Sequence, residues 1–307
     1  MNESLAERRR WWRIARITII AIVLYAVIRV LPTGTNLSHM DFRVQGENTL
    51  EMCDPANPQF LPVVNVRSPV RLRLQTQVAP TAGRDVEVIL TLATSGGKPI
   101  TTADLLMVHT RLLHLMIIDP QLMDYHHVHP IPTSEPGQWS FRFKPQYGGE
   151  YRFFADFTPA ATGLGLYANA KLDVTGEPPS PEKIATAHQP AWTQASGAFQ
   201  FTIDPSDGRV LADEEARLQL AITHRDGGEV PLHLVMDSYA HVVAFDENRM
   251  GFAHLHPEEN NLQHAPDPIT PELSFRVTIP QRGRYVLWAQ VNMDETEMFV
   301  PFWFEVE

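Results

Sequence analysis

An internal duplication constrains this chain more than any other feature of its sequence. Residues 114–130 read HLMIIDPQLMDYHHVHP, and residues 241–257 read HVVAFDENRMGFAHLHP. In both segments an acidic residue follows the first histidine by five positions and an aromatic residue follows it by eleven. Further histidines follow by thirteen and fifteen. Chance rarely places five matched positions at one constant offset, which here is 127 residues, so the pattern indicates a duplication.

The duplication extends beyond the histidine segments. SFRF…GGEYRFFADF begins at Ser140, and SFRV…RGRYVLWAQV begins at Ser274. This offset is 134 residues, seven more than before, so the second copy carries a seven-residue insertion between Pro257 and Ser274. Whole domains were therefore duplicated, and we name the two copies repeat 1 and repeat 2.

The hydrophobic pattern within the repeats has the period of β-strands. Seven segments alternate apolar and polar residues and are bounded by Gly and Pro turn signals: 70–78, 85–93, 139–145, 151–157, 216–224, 273–279 and 285–291. No useful length of helical period follows residue 32. The sequence therefore predicts an all-β body of two tandem antiparallel β-sandwich domains of immunoglobulin-like or cupredoxin-like type.

These patterns predict the domain boundaries. Repeat 1 is expected at 69–176 and repeat 2 at 195–307, joined at 177–194 by a Pro-rich linker that should be extended and fairly stiff. Residues 32–68 are expected to form an extended segment before repeat 1. That segment contains Cys53, the single cysteine of the chain, which is more typical of a buried apolar residue than of a reactive thiol.

The N-terminal region has the composition of a membrane anchor. Residues 1–10 are basic, and the apolar run 11–31 would span about 31 Å as a helix, close to the thickness of a bilayer core. The arginines before the run predict a cytoplasmic N-terminus. A cleaved signal peptide is the alternative, although no convincing cleavage site follows Ile28.

The anchor interpretation predicts a single-pass protein of the bacterial inner membrane with its main body in the periplasm. The net charge of the chain is −11, and residues 1–31 contribute +4, so the remainder carries about −15. A body so acidic is not expected to bind nucleic acid.

A hairpin explains why the histidines cluster. With turns centred after Pro120 and after Glu247, His114 would face His127 and His241 would face His254. Residues two apart on one strand share a face of the sheet, so each repeat would place three histidines on one face: His114, His127 and His129 in repeat 1, and His241, His254 and His256 in repeat 2. His126 would point to the other face.

Three imidazoles at this spacing can converge on one metal ion. Copper is the predicted metal, with zinc as the alternative, because methionines occur nearby: Met107, Met116, Met123, Met236, Met293 and Met298. No cysteine lies near the histidines, which excludes a blue-copper centre. The other interpretation is that the histidines are structural and bind no metal. The two repeats need not have the same role.

The HxHP hairpin, followed by S-F-x-[FV]…G-x-Y and a closing run P-F-W-F-E-V at 301–306, resembles a family of exported bacterial β-sandwich proteins linked to copper or heavy-metal handling. The resemblance covers about residues 80–176 and 195–307. It implies a metal site at the same six histidines. The sequence departs from the pattern at Met298, where members often have a histidine, and this weakens the expectation for repeat 2.

Three functions follow from these patterns. The first is a membrane-anchored periplasmic accessory protein, not an enzyme, that binds copper through its histidine hairpins. The second is a structural subunit without metal that contacts protein partners on the periplasmic side of a respiratory or photosynthetic membrane complex. The third is a subunit of a membrane copper oxygenase, for which the chain lacks further membrane helices. No nucleophile, phosphate loop or HExxH motif supports catalysis by this chain.

Overall fold

The computed structural model describes residues 2–30, 37–42, 59–259, 262 and 264–307, with side chains of the first range described from residue 7 to residue 27. The chain divides into two compact units, Met1–Asn36 and Leu37–Glu307. The extended segment predicted at 32–68 lies largely outside the described residues, and so does Cys53.

The first unit contains one long helix, α1 (Asn2–Val30). Among the residues that the structure describes, no helix is both long enough and apolar enough to cross a membrane. The predicted span at 11–31 and the inner-membrane location that depended on it are therefore wrong. The described side chains of α1 include five arginines, and charged groups are costly in hydrocarbon: Arg8, Arg9, Arg10, Arg13 and Arg16.

The second unit is built almost entirely of antiparallel strands. Repeat 1 contains nine: β1 (Val70–Thr76), β2 (Val86–Thr94), β3 (Leu105–Leu106), β4 (His114–Ile118), β5 (Tyr125–Val128), β6 (Ile131–Pro132), β7 (Gln138–Phe143), β8 (Gly149–Pro159) and β9 (Leu166–Val174). Short 3-10 helices lie at His39–Phe42 and Thr102–Asp104.

The described residues of repeat 2 also contain nine strands. They are β10 (Thr193–Ser196), β11 (Phe199–Pro205), β12 (Glu215–His224), β13 (Leu232–His233), β14 (His241–Asp246), β15 (Phe252–Leu255), β16 (Glu272–Thr278), β17 (Gly283–Met293) and β18 (Thr296–Val306). All seven strands predicted from the alternating pattern are confirmed, within a few residues at their ends.

The two repeats share most of their topology, but the fourth strand of one sheet lies on opposite edges, with β6 beside β7 in repeat 1 and β10 beside β11 in repeat 2. One sheet has the order β1-β2-β7-β6 in repeat 1 and β10-β11-β12-β16 in repeat 2. The other sheet, which we name the hairpin sheet, has the order β3-β8-β4-β5 with β9 beside β8, and β13-β17-β14-β15 with β18 beside β17. Apolar residues of both sheets share one core in each repeat, which makes each repeat a two-layer β-sandwich.

A third hydrophobic core joins the two repeats. In β4, Leu115 and Ile117 point into the core of repeat 1, whereas Met116 and Ile118 belong to the joining core. Strand β14 divides its side chains in the same way, with Val243 and Phe245 in the joining core. Both faces of each hairpin sheet are therefore buried, which accounts for the continuous apolar runs in these strands.

The linker differs from its prediction. The sequence 177–194 was expected to be extended, but it contains the helix α2 (Pro181–Ala187) and the start of β10. The Ser180 hydroxyl accepts a hydrogen bond from the backbone amide of Lys183, and Pro181 occupies the first helical position. These are standard N-terminal signals of a helix, and the high proline content concealed them.

Residues 59–64 cross the boundary between the repeats, and we name them the strap. The amide of Phe60 donates to the carbonyl of Thr278, and Leu61 forms reciprocal backbone hydrogen bonds with Phe252 in repeat 2. The side chain of Asn169 in repeat 1 donates to the carbonyl of Val63. The strap therefore contacts both repeats.

Candidate metal centre

The histidine hairpins exist, but their register differs from the prediction. His127 pairs with Met116 and His254 pairs with Val243, so the predicted pairs of His114 with His127 and of His241 with His254 are wrong by two residues. Each turn is centred one residue later than proline and acidic turn signals suggested. Since a shift of two preserves the face of a strand, each set of three histidines still lies together.

The acidic residue of the repeated motif stabilises the hairpin turn and does not act as a metal ligand. The carboxylate of Asp119 accepts hydrogen bonds from the backbone amides of Gln121, Met123 and Asp124. Asp246 does the same for three amides of the second turn. Burial raises the pKa of Asp119 to about 6, although these hydrogen bonds lower it. Burial also raises the pKa of Asp246.

The histidines His114, His127 and His129 form triad 1, whose ligand atoms all lie within 4.8 Å of one another. His114 Nε2 lies 3.1 Å from the carbonyl oxygen of Val108, and His127 Nδ1 lies 2.8 Å from Oε1 of Gln290. Both partners are acceptors, so these two ring nitrogens carry the hydrogens. The opposite nitrogens, His114 Nδ1 and His127 Nε2, therefore present lone pairs.

His114 Nδ1 and His127 Nε2 face each other at a distance of 3.3 Å. Without a proton or a cation between them the arrangement is repulsive. Two nitrogens bound at about 2.0–2.1 Å to one tetrahedral metal ion lie about 3.3–3.4 Å apart. His129 adds a third buried nitrogen, Nε2, which has no hydrogen-bond partner among the described residues. Two of the three nitrogens of triad 1 thus lie at the spacing of ligands around one ion, and all three lie within 4.8 Å of one another.

The histidines His241, His254 and His256 form triad 2, whose ligand atoms also lie within 4.8 Å of one another. His241 Nε2 lies 3.0 Å from the carbonyl oxygen of Val235, and His254 Nδ1 lies 3.1 Å from Oδ2 of Asp156. The remaining nitrogens, His241 Nδ1, His254 Nε2 and His256 Nε2, are buried and have no hydrogen-bond partner in the described part of the chain.

Each triad is oriented by a residue of the other repeat. Gln290 of repeat 2 bonds His127 of repeat 1, and Asp156 of repeat 1 bonds His254 of repeat 2. Gln290 is paired with His241 in its sheet, and Asp156 is paired with His114. Partners of this kind set the tautomer and direction of metal-binding histidines. The two sites are thus assembled across the boundary between the repeats.

The two triads form one continuous group of rings. The ring centres of His127 and His254 are 5.2 Å apart, and those of His114 and His254 are 5.6 Å apart. Distances within a triad are similar, for example 4.9 Å between His127 and His129. Any two ions bound here would therefore be close neighbours.

Burial keeps the imidazoles neutral, which is the form that binds metal. Burial lowers the pKa of His114 to about 4 and the pKa values of His129 and His241 to about 3. Burial also lowers the pKa values of His127, His254 and His256 well below their ordinary value, with the neighbouring histidines adding to the effect. Burial raises the pKa of Asp156 to about 7.

A cavity of about 590 Å³ adjoins the histidines. Its polar lining includes four histidines, two carboxylates and two arginines: His109, His114, His254, His256, Asp156, Glu258, Arg111 and Arg276. Apolar side chains, among them Leu61, Tyr167 and Phe252, form much of the remainder. The cavity gives the centre a side that is not closed by protein.

The predicted ligand set left out three residues that contact the triads: His109, Asp156 and Gln290. A signal for the last two was present, because Asp156 and Gln290 are aligned polar residues within the apolar strands YRFFADF and YVLWAQV. His109 stacks on His256 with ring centres 3.8 Å apart, and only the fold brings these residues together. His126 points away from the triads, as predicted, and contacts Phe143 and Asp124.

The methionines divide into several environments. Met107 lines the cavity and Met116 lies in the joining core. Met293 and Met298 pack in the core of repeat 2, so Met298 does not take part in triad 2. Methionine proximity therefore supports copper less than the sequence suggested.

The fold and the triads define a class: a tandem β-sandwich protein with paired three-histidine sites that could hold metal. The chain belongs to the family described as Domain of unknown function (DUF8832), which matches residues 65–174 and 193–307. The duplication read from the sequence is thus confirmed. The match carries no metal assignment, so the resemblance to copper-handling proteins stays a prediction.

No curated protein matches the chain. Among solved structures, a DUF4785 family protein from Legionella pneumophila is similar over 78% of this chain, at 6% sequence identity and a TM-score of 0.24. This chain covers 56% of that protein. A likeness of this size carries no argument about function.

Proposed function

We propose that this protein binds two copper ions, one in each histidine triad, and that it holds or transfers them rather than catalysing a reaction. The proposal rests on the buried ring nitrogens of the triads. Their lone pairs lie close together, and no hydrogen-bond donor among the described residues contacts them. In triad 1 two of them face each other at 3.3 Å, and triad 2 repeats the set.

Structural histidines would be expected to use these nitrogens. Within the triads, four buried ring nitrogens lack hydrogen-bond partners among the described residues: His129 Nε2, His241 Nδ1, His254 Nε2 and His256 Nε2. A buried polar atom left without a hydrogen bond costs about 1–3 kcal/mol. Two metal ions would satisfy all four together with the facing pair in triad 1.

The electrostatics of the centre favour an ion of low charge. The six ligands are neutral, and Asp156 is the carboxylate that directly contacts a triad histidine. Two Cu⁺ ions would bring half the charge of two Zn²⁺ ions into a buried site, where uncompensated charge is costly. Imidazole ligands suit both metals, so charge is the argument for copper.

Burial of the ligands supports a binding role. The ligand nitrogens lie between two packed sheets, and the strands that carry them are fixed by the joining core. Such a site is suited to retaining an ion. Storage or delivery of copper to a partner protein is the role we propose.

Elemental analysis of the purified chain after anaerobic loading with Cu⁺, and separately with Zn²⁺, tests the proposal. We expect two copper ions per chain in the wild type. We expect one in His127→Ala/His129→Ala and one in His254→Ala/His256→Ala. A double variant of two exposed histidines, His233→Ala/His264→Ala, is the matched control and should keep both ions.

The outcomes separate the alternatives. Zinc retained as tightly as copper against a common chelator would move the assignment to zinc. A wild-type chain that takes up neither metal would overturn the proposal. The histidines would then be structural, and a scaffolding role in a protein assembly would be the interpretation to pursue.

A further inference from the structure

The ligand nitrogens are buried, so a metal ion needs a route to them. The cavity of about 590 Å³ is the route that the structure offers, because it borders both triads through His114, His254 and His256. The question is whether its wall contains donors that could guide an ion inwards.

Two donors lie on this wall in the loop that precedes β4. Met107 is 68% exposed at the surface. His109, two residues later, is half-buried, and its ring stacks on His256 at 3.8 Å with an interplanar angle of 22°. Along Met107, His109 and His256 the side chains become progressively more buried, and each offers a lone pair to a soft metal ion.

No structural role is evident for the side chain of His109. Among the described residues, no hydrogen bond to its ring is observed, and its ring is 6.1 Å from that of His241. Its backbone is left-handed, with φ of 46°, but Met236 at the matched position of repeat 2 has a φ of 51°. The backbone therefore does not require histidine here. Repeat 1 places a metal-binding side chain where the cavity meets triad 2.

We infer that Met107 and His109 form a transient access site that passes Cu⁺ from the cavity to triad 2, with His256 as the receiving ligand. This inference rests on the proposed copper function. The transfer is a ligand exchange. The thioether sulfur and the imidazole nitrogen each donate and then release a lone pair, and the oxidation state of copper does not change.

Stopped-flow measurement of Cu⁺ uptake tests this route. The full-length apo-protein is mixed anaerobically with a coloured Cu⁺–bicinchoninate complex, and loss of the colour reports transfer. We expect His109→Ala to bind the same number of ions with the same equilibrium affinity, but with uptake slowed about tenfold. His109→Met keeps a soft donor and should retain most of the rate, and the exposed His233→Ala variant should match the wild type.

Each result decides a separate point. No uptake by the wild type would overturn the copper function itself. Normal uptake by the wild type and an equal rate in His109→Ala would overturn the route alone. Loss of a bound ion in His109→Ala would make His109 a permanent ligand, which also contradicts a transient role.

Discussion

At the scale of single residues, the repeated motif combines histidines and aspartates, which have different roles. The histidines present free lone pairs, whereas Asp119 and Asp246 satisfy the amides of the two hairpin turns. Both kinds occur at a constant spacing, and spacing alone does not distinguish a ligand from a turn cap. Hydrogen-bond partners do, because a carboxylate that accepts three backbone amides has most of its lone pairs committed to the turn.

The Asp119 carboxyl makes stability depend on pH in a defined direction. Its folded pKa of about 6 lies above the unfolded value of about 3.9. The folded chain therefore retains a proton that the unfolded chain loses between these values, and stability from this group is greatest below pH 4 and falls up to about pH 6. Asp119→Asn removes this titration.

We expect the stability advantage of the wild type over Asp119→Asn to shrink by about 3 kcal/mol between pH 4 and pH 8. Urea unfolding of both proteins at each pH measures it. The exposed Asp204→Asn is the control and should show little change. An advantage that grows with pH would contradict the raised pKa.

At the scale of elements, the strap and the second hairpin fit together because a glycine leaves room. A Cβ atom built on Gly251 would lie 1.9 Å from the carbonyl oxygen of Leu61. The backbone pairing between Leu61 and Phe252 therefore depends on the absence of a side chain at position 251. This dependence links a segment outside the repeats to the hairpin that carries triad 2.

We expect Gly251→Ala to displace the strap and lower the free energy of unfolding by about 1–3 kcal/mol, as overpacking does. Urea unfolding gives the change, and limited proteolysis near residues 59–64 should become faster. Gly96→Ala, whose added Cβ would make only an ordinary contact of 3.7 Å, is the matched control. Unchanged proteolysis of the strap would show that this pairing is not needed to hold it.

At the scale of the whole molecule, the two repeats complete each other. Gln290 and Asp156 each cross the boundary between the repeats to bond a histidine of the opposite triad. Neither repeat contains a fully supported site by itself. The partner residues differ in charge, so the two sites should differ in affinity although their ligands are the same.

We expect Gln290→Ala to weaken copper binding at triad 1, and Asp156→Ala to weaken it at triad 2, each by about 10–100-fold. Chelator competition measures the affinity, with the opposite triad removed by its double alanine variant. Asp156→Asn keeps a hydrogen-bond acceptor and should lose less than Asp156→Ala. If each substitution affected the triad of its own repeat instead, the crossed arrangement would be wrong.

The sequence determined the duplication, the strands and the face on which the six histidines lie, because period-two alternation and constant spacing are local properties. A register error of two residues left the triads intact for the same reason. Other local patterns misled: the apolar run at 11–31 predicted a membrane span, and the prolines near Ser180 concealed a helix.

Only the tertiary structure decided that the two triads meet. His114 and His254 are 140 positions apart in sequence but adjacent in space, and the contact arises because each hairpin sheet buries its second face against the other. Apolar residues on that face, such as Met116 and Phe245, drive this association. The supporting roles of Asp156, Gln290 and His109 follow from it, since long-range burial, unlike strand period, is not written in any short stretch of sequence.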